Sequence, residues 1–158
     1  MSMSIRKSAA AVLVAGVAAI SAANVSSASA AVASPQLSNA HRSVQASVTN
    51  NTHCTWTKVD ESLSHGVWAT EPEDNVFAAT MWESESDGIA TGTEGDVTYR
   101  LGGCADPAQN TKFVRFHWDN PYAGSNSYDT FGSSAGVHAV RSGGSGDNAI
   151  VTWVVTVS

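Results

Sequence analysis

The chain has 158 residues, 14 acidic against 8 basic, for a formal net charge of −6. That length suits one domain with a substantial core. The acidic balance argues against nucleic acid, which needs a basic face, and against attraction to anionic lipid.

Arg6 and Lys7 form a short basic region, and Ala9 to Ile20 is an apolar run built mostly of Ala and Val. Ala28-Ser29-Ala30 fits an A-x-A cleavage site, with Ala31-Val32-Ala33 as a second candidate. This pattern predicts a secretory signal peptide over residues 1–30 and a secreted protein. A membrane anchor is the competing reading, but the run is shorter than the roughly 20 residues a span requires. Cleavage after Ala30 would remove 30 of the 158 residues and leave 128. It would also remove two cations, so 6 basic residues would face 14 acidic ones, a formal charge of −8. The small, polar stretch 31–41 reads as a flexible mature N-terminus, followed by one domain over 42–158.

Short strand-like segments follow. Val44, Ala46 and Val48 alternate with polar residues up to Asn50-Asn51. Thr55 to Val59 is β-branched around Trp56, and Val76 to Trp82 is apolar. Asp96 to Leu101 alternates through Val97, Tyr99 and Leu101, and Phe113 to Trp118 alternates next. Val137 to Arg141 and Ala149 to Val157 complete the series, the last with Val151, Trp153, Val155 and Val157 on one face. Glycine-rich turns separate them, and no stretch has useful helical periodicity. The pattern predicts an all-β fold, a compact antiparallel sandwich or a barrel.

Candidate chemistry is sparse. Cys54 and Cys104 are the only cysteines, and two cysteines in an exported chain most often pair. No C-x-x-C or H-E-x-x-H spacing is present, so no metal, cofactor or redox site is expected. Asn50-Asn51-Thr52 is a formal glycosylation sequon. Gly132-Ser133-Ser134-Ala135-Gly136 matches G-x-S-x-G, but a strand-like segment follows where a nucleophile elbow needs a helix. His41, His53, His65, His117 and His138 read as surface or satisfied core histidines. The chain is therefore read as non-enzymatic.

Charge and aromatics carry more information. No Lys or Arg lies between Lys58 and Arg100, yet Glu71, Glu73, Asp74, Glu83, Glu85, Asp87, Glu94 and Asp96 all do. In a strand, Glu83, Glu85 and Asp87 share a face. They could be a solvated face, a calcium or glycosidase carboxylate set, or the acidic side of a site for a quaternary ammonium beside an aromatic ring. Trp153 is expected in the core. Trp82 and Trp118 are expected at strand ends beside polar turns, where amphipathic rings suit an interface; core packing is the competing reading. From Phe113 to Tyr128 a strand leads into a polar turn carrying Tyr122 and Tyr128, which reads as a recognition loop.

Ala90-Thr91-Gly92-Thr93-Glu94-Gly95-Asp96-Val97-Thr98-Tyr99 and Phe116-His117-Trp118-Asp119-Asn120-Pro121-Tyr122-Ala123-Gly124-Ser125-Asn126 resemble the aegerolysins and their bacterial crystal-protein relatives. Ser142-Gly143-Gly144-Ser145-Gly146 and the apolar last strand are similar too, so the resemblance covers Arg42 to the C-terminus. It implies a compact actinoporin-like β-sandwich that binds sphingolipid- or sterol-containing membranes, in several members with a perforin-like pore-forming partner. It implies that Trp118, Pro121, Tyr122, Tyr128 and Asn126, with Trp82 nearby, line a lipid headgroup site. A lectin-like carbohydrate-binding module in the same fold is the alternative. Unlike true actinoporins, the chain has no amphipathic N-terminal segment around Pro35, which argues against pore formation by this protein alone.

Overall fold

The computed structural model describes residues 40–158. The expected signal peptide, and all of the expected flexible stretch except Ala40 and His41, lie outside the described residues. Ten strands appear in chain order: β1 (Ser43–Asn50), β2 (Thr55–His65), β3 (Val67–Thr70), β4 (Asn75–Val76), β5 (Ala79–Glu85), β6 (Thr93–Gly102), β7 (Phe113–Asn120), β8 (Ser127–Asp129), β9 (Val137–Gly143) and β10 (Asn148–Val157). A 3₁₀ turn, Pro107–Gln109, is capped by the Asp106 side chain.

The strands form two five-stranded sheets, ordered β3-β5-β1-β10-β9 and β4-β2-β6-β7-β8. Every pairing is antiparallel except β1 with β10, which run parallel with Val48 beside Trp153. The fold is thus the expected all-β sandwich, with one parallel pair that the pattern did not announce. β3 and β8 were also not foreseen, and β2 runs past Val59 to His65 through two bulges.

Inward-facing residues of both sheets make one aromatic-rich core, as period-two alternation requires. Trp56, Trp82, Trp118, Trp153, Tyr99 and Phe116 are all buried. Trp82 stacks on Trp153 at 6.1 Å between ring centroids, and Phe116 packs against Trp153 at 5.2 Å. Rings of this size dominate core energetics through buried area, and offset or tilted pairs add to it. Cys54 and Cys104 form a disulfide that joins the start of β2 to the loop after β6. This pairing agrees with the expectation from cysteine count.

Candidate functional site

One end of the sandwich gathers the predicted recognition segment. Asn120, the last residue of β7, donates from Nδ2 to Ser43 O at 2.9 Å and to Asp147 O at 2.8 Å. Those bonds tie β7 to the starts of β1 and β10, across the two sheets. Residues 121–126 leave from this point, flanked by the β5–β6 loop (86–92) on one side and the β9–β10 loop (144–147) on the other. Each side holds a cavity.

The first cavity, of about 410 Å³, is lined by His65, Thr91, Glu94, Asp119, Pro121 and Tyr122, among others. Its electrostatics follow from strand register. Glu94 of β6 and Asp119 of β7 are direct cross-strand partners, so two carboxylates share one face at the closest spacing a sheet allows. Like charges placed so are destabilising. His117 lies 3.5 Å from one Glu94 oxygen and His65 lies 3.9 Å from the other, while His117 Nδ1 meets Asp129 at 3.0 Å. Partial burial, reinforced by Glu94, pushes the Asp119 carboxyl above its ordinary range, with His117 and His65 offsetting part of the rise. Tyr122 stands at the rim with half its surface exposed. The Arg42 guanidinium sits 5.7 Å from the Tyr122 ring centroid and donates to the Tyr122 carbonyl at 2.6 Å. A carboxylate pair and a half-exposed phenol ring lining one cavity suit a small organic cation.

Ile89 sits in the loop that borders this cavity and is 83% exposed. Its neighbour Ala90 adopts φ +62°, a conformation costly for a residue with a Cβ and consistent with a loop held in one shape. Ala90 opens one of the stretches that carry the family resemblance, whereas Ile89 has no sequence signal of its own. An isoleucine among Gly, Ala and Thr gives no periodic signal, and only its exposure marks it.

Tyr128 and Asn126 face the other cavity. Tyr128 is half-buried, its ring edge-on to Trp153 at 6.1 Å, and Arg141 lies over it at 5.1 Å. Burial, the largest influence, pushes its phenol above the ordinary range. Asn126 Nδ2 donates to Gly144 O at 3.0 Å and Gly146 O at 2.9 Å, so it serves as a staple between loops.

The structure places Trp118 and Trp82 in the core, contrary to their expected position on the headgroup surface. Both have 0% exposure. Trp118 shares the inward face of β7 with Val114 and Phe116, as the alternation required, but the strand does not end there. Trp82 likewise points inward from β5, opposite Glu83 and Glu85, so that segment does not join acid to aromatic. Burial and the neighbouring Glu85 push the Glu83 carboxyl upward. The electrostatic arrangement anticipated for 83–87 instead occurs at Glu94, Asp119 and Tyr122. The G-x-S-x-G segment is a turn in which the Ser133 and Ser134 hydroxyls accept from Arg115 N and Phe113 N. The described residues contain no group of three or more His, Cys, Asp or Glu arranged to hold a metal ion. No helix among them is long and apolar enough to cross a membrane.

No family model and no curated protein matches the chain. Solved structures do. The chain is similar to RahU protein in complex with a TRIS molecule, with TM-score 0.59 and 16% identity over 75% of this chain and 96% of that one. It is also similar to the lipid binding protein Nakanori, with TM-score 0.58 and 19% identity over 72% of this chain and 70% of that one. At such identities the likeness is one of fold, and it places the chain among β-sandwiches built from two antiparallel-rich sheets.

Proposed function

We propose that this is a secreted, non-enzymatic, aegerolysin-like protein that binds membrane lipids. Its contact surface is the end of the sandwich carrying Tyr122 and Ile89. The observation that carries this reading is one cavity lined by both the half-exposed Tyr122 and the Glu94–Asp119 carboxylate pair. An aromatic face and fixed negative charge together favour a quaternary ammonium. Ile89 supplies an apolar tip beside it. With an acidic chain around the site, zwitterionic headgroups are favoured over anionic ones, which fits sphingolipid in sterol-containing membranes. The likeness to a lipid binding protein supports this ligand class. We further propose that the protein targets membranes for a perforin-like pore-forming partner.

The test is co-sedimentation with sphingomyelin–cholesterol vesicles. Wild type should pellet, and Tyr122→Ala combined with Ile89→Ser should remain in the supernatant while unfolding at the wild-type temperature. Equal pelleting by both would overturn the assignment. The lectin-like reading draws on the same ring and carboxylates, which serve sugar stacking and hydroxyl hydrogen bonds. Release of the vesicle-bound protein by a free sugar would favour it.

A further inference from the structure

We propose that the second cavity, of about 450 Å³, is a site for a tetrahedral oxyanion carried on a phosphate or sulfate ester. In a lipid that group is the headgroup phosphodiester, and in this form the proposal rests on the lipid reading above.

The argument starts from where the cations go. Lys58 is paired with Glu61 and Asp74, Arg115 with Asp96 and Asp129, and Arg42 with Asp147. Lys112 is engaged by the carbonyls of Ala135 and Ser158. Arg100, at the far end of β6, and Arg141 are both exposed with no carboxylate partner among the described residues, and of the two Arg141 is the one that lines the cavity. It donates to Gly143 O and lies over Tyr128, which fixes the guanidinium and leaves donors of its fork unused.

The 144–147 loop beside Arg141 adds donors. Gly144 is buried under Tyr128 with φ +94°, and a Cβ there would come within 2.6 Å of Tyr128 Cε2 and 3.2 Å of Arg141 Nη1. Glycine thus lets ring and guanidinium close onto the loop. Asn126 pins the loop through two carbonyls, so the carbonyls of Gly144 and Gly146 are occupied. The backbone N–H groups of Ser145, Gly146 and Asp147 donate to no partner among the described residues. A fixed guanidinium and loop amides without protein acceptors, lining one cavity, are the kind of donors that oxyanions take. The Asp147 carboxylate also lines the cavity and opposes an anion. It is exposed and engaged by Arg42, so an incoming oxyanion shares Arg42 with it while Arg141 supplies the excess charge.

The experiment titrates inorganic phosphate and phosphocholine into isotope-labelled protein, following amide and Arg side-chain resonances. Saturable shifts are expected at Ser145, Gly146, Asp147 and Arg141 Nε. Arg141→Gln should weaken binding about tenfold or more, as loss of a charge-assisted pair implies, with Arg141→Lys intermediate. Arg100→Gln, at the far end of the sandwich, should change nothing. Absence of saturable shifts in wild type, or undiminished binding in a folded Arg141→Gln, would overturn the site. A vesicle arm separates the sources. Arg141→Gln should lose binding to sphingomyelin–cholesterol vesicles but keep any binding to neutral glycosphingolipid–cholesterol vesicles, which lack the phosphate. Equal loss on both would overturn the phosphodiester assignment. Saturation by phosphate without binding to either vesicle would keep the oxyanion site and remove the lipid reading.

Discussion

The indole Nε1–H of Trp118, on β7, donates to the Ser84 hydroxyl, on β5, at 2.8 Å, so a side chain of one sheet is held by a strand of the other. Thr93 Oγ1 meets the same hydroxyl at 2.7 Å. Thr93 also lines the Tyr122 cavity, and the bond to Ser84 makes Trp118 a structural residue. Trp118→Ala should cost about 3–5 kcal/mol, the usual range for a fully buried large aromatic. Ser84→Ala should cost about 1–3 kcal/mol by leaving the indole donor unpaired. Denaturant unfolding with an unchanged slope would report both. Vesicle binding by Ser84→Ala should persist wherever the protein is folded.

That same bond shows why the sequence alone ends these strands too early. β7 continues beyond Trp118 with Asp119 outward and Asn120 inward, and β5 continues beyond Trp82 with Ser84 inward. Ser84, Thr93 and Asn120 are buried polar residues that hydrogen-bond between the sheets. Hydropathy reads such residues as the start of a turn. A hydropathy reading therefore sets Trp82 and Trp118 at a rim, whereas the structure buries both. Strand interiors were legible because one face is uniformly apolar, as in Val151, Trp153 and Val155. The β1–β10 pairing was not, since it joins the first and last strands and leaves no local signal. Of the proposed site, Tyr122 and Pro121 stand in a stretch that the sequence already marks as an aromatic turn. Glu94 is legible only as one acid of a cation-free run, and nothing in the sequence joins it to Asp119, Arg42 or Arg141, because only register and loop packing bring them to one end.

Asn50 should be intolerant of substitution despite standing at a sequon. Its Nδ2 donates to Cys54 O at 2.7 Å and Phe77 O at 3.0 Å, and its Oδ1 accepts from Thr52 N and Thr52 Oγ1 at 3.1 and 2.6 Å. Thr52 Oγ1 in turn accepts from the Trp56 indole at 3.0 Å. A glycan on Nδ2 would break the turn before β2. Asn50→Ala should cost about 1–3 kcal/mol, since several partners in this half-buried turn lose their bonds together. Thermal unfolding of Asn50→Ala beside Asn51→Ala, which alters an exposed neighbour, would check it.

Reduction of Cys54–Cys104 should weaken the fold without touching the site end. The bond spans 50 positions, and closing a loop of that length restricts the unfolded chain by roughly 4 kcal/mol in the chain-entropy model. It sits at the opposite end from Tyr122, beside the Asn50 turn. The Cys54→Ser, Cys104→Ser double variant should therefore unfold at much lower denaturant yet bind vesicles with wild-type affinity under native conditions. A loss of affinity in the folded variant would contradict this separation.

Asp119 should trade stability for binding. Burial first, and the facing Glu94 second, hold its carboxyl above the ordinary carboxylate value, so the native state keeps this proton more tightly than the unfolded chain does. A raised acid contributes no penalty below its unfolded value and a full one above its folded value. Its contribution to stability therefore falls as pH rises between the two. Asp119→Asn removes that penalty. The variant should melt slightly above wild type at neutral pH and level with it below the ordinary carboxylate range. Screening by solvent keeps the gain under about 1 kcal/mol. The same change removes half of the carboxylate pair under Tyr122, so binding to sphingomyelin–cholesterol vesicles should weaken several-fold. Paired melting curves across pH, set beside vesicle binding at neutral pH, test both halves. Tighter vesicle binding by Asp119→Asn would mean that the carboxylate pair repels the headgroup, and the cationic end of the ligand would have to lie elsewhere.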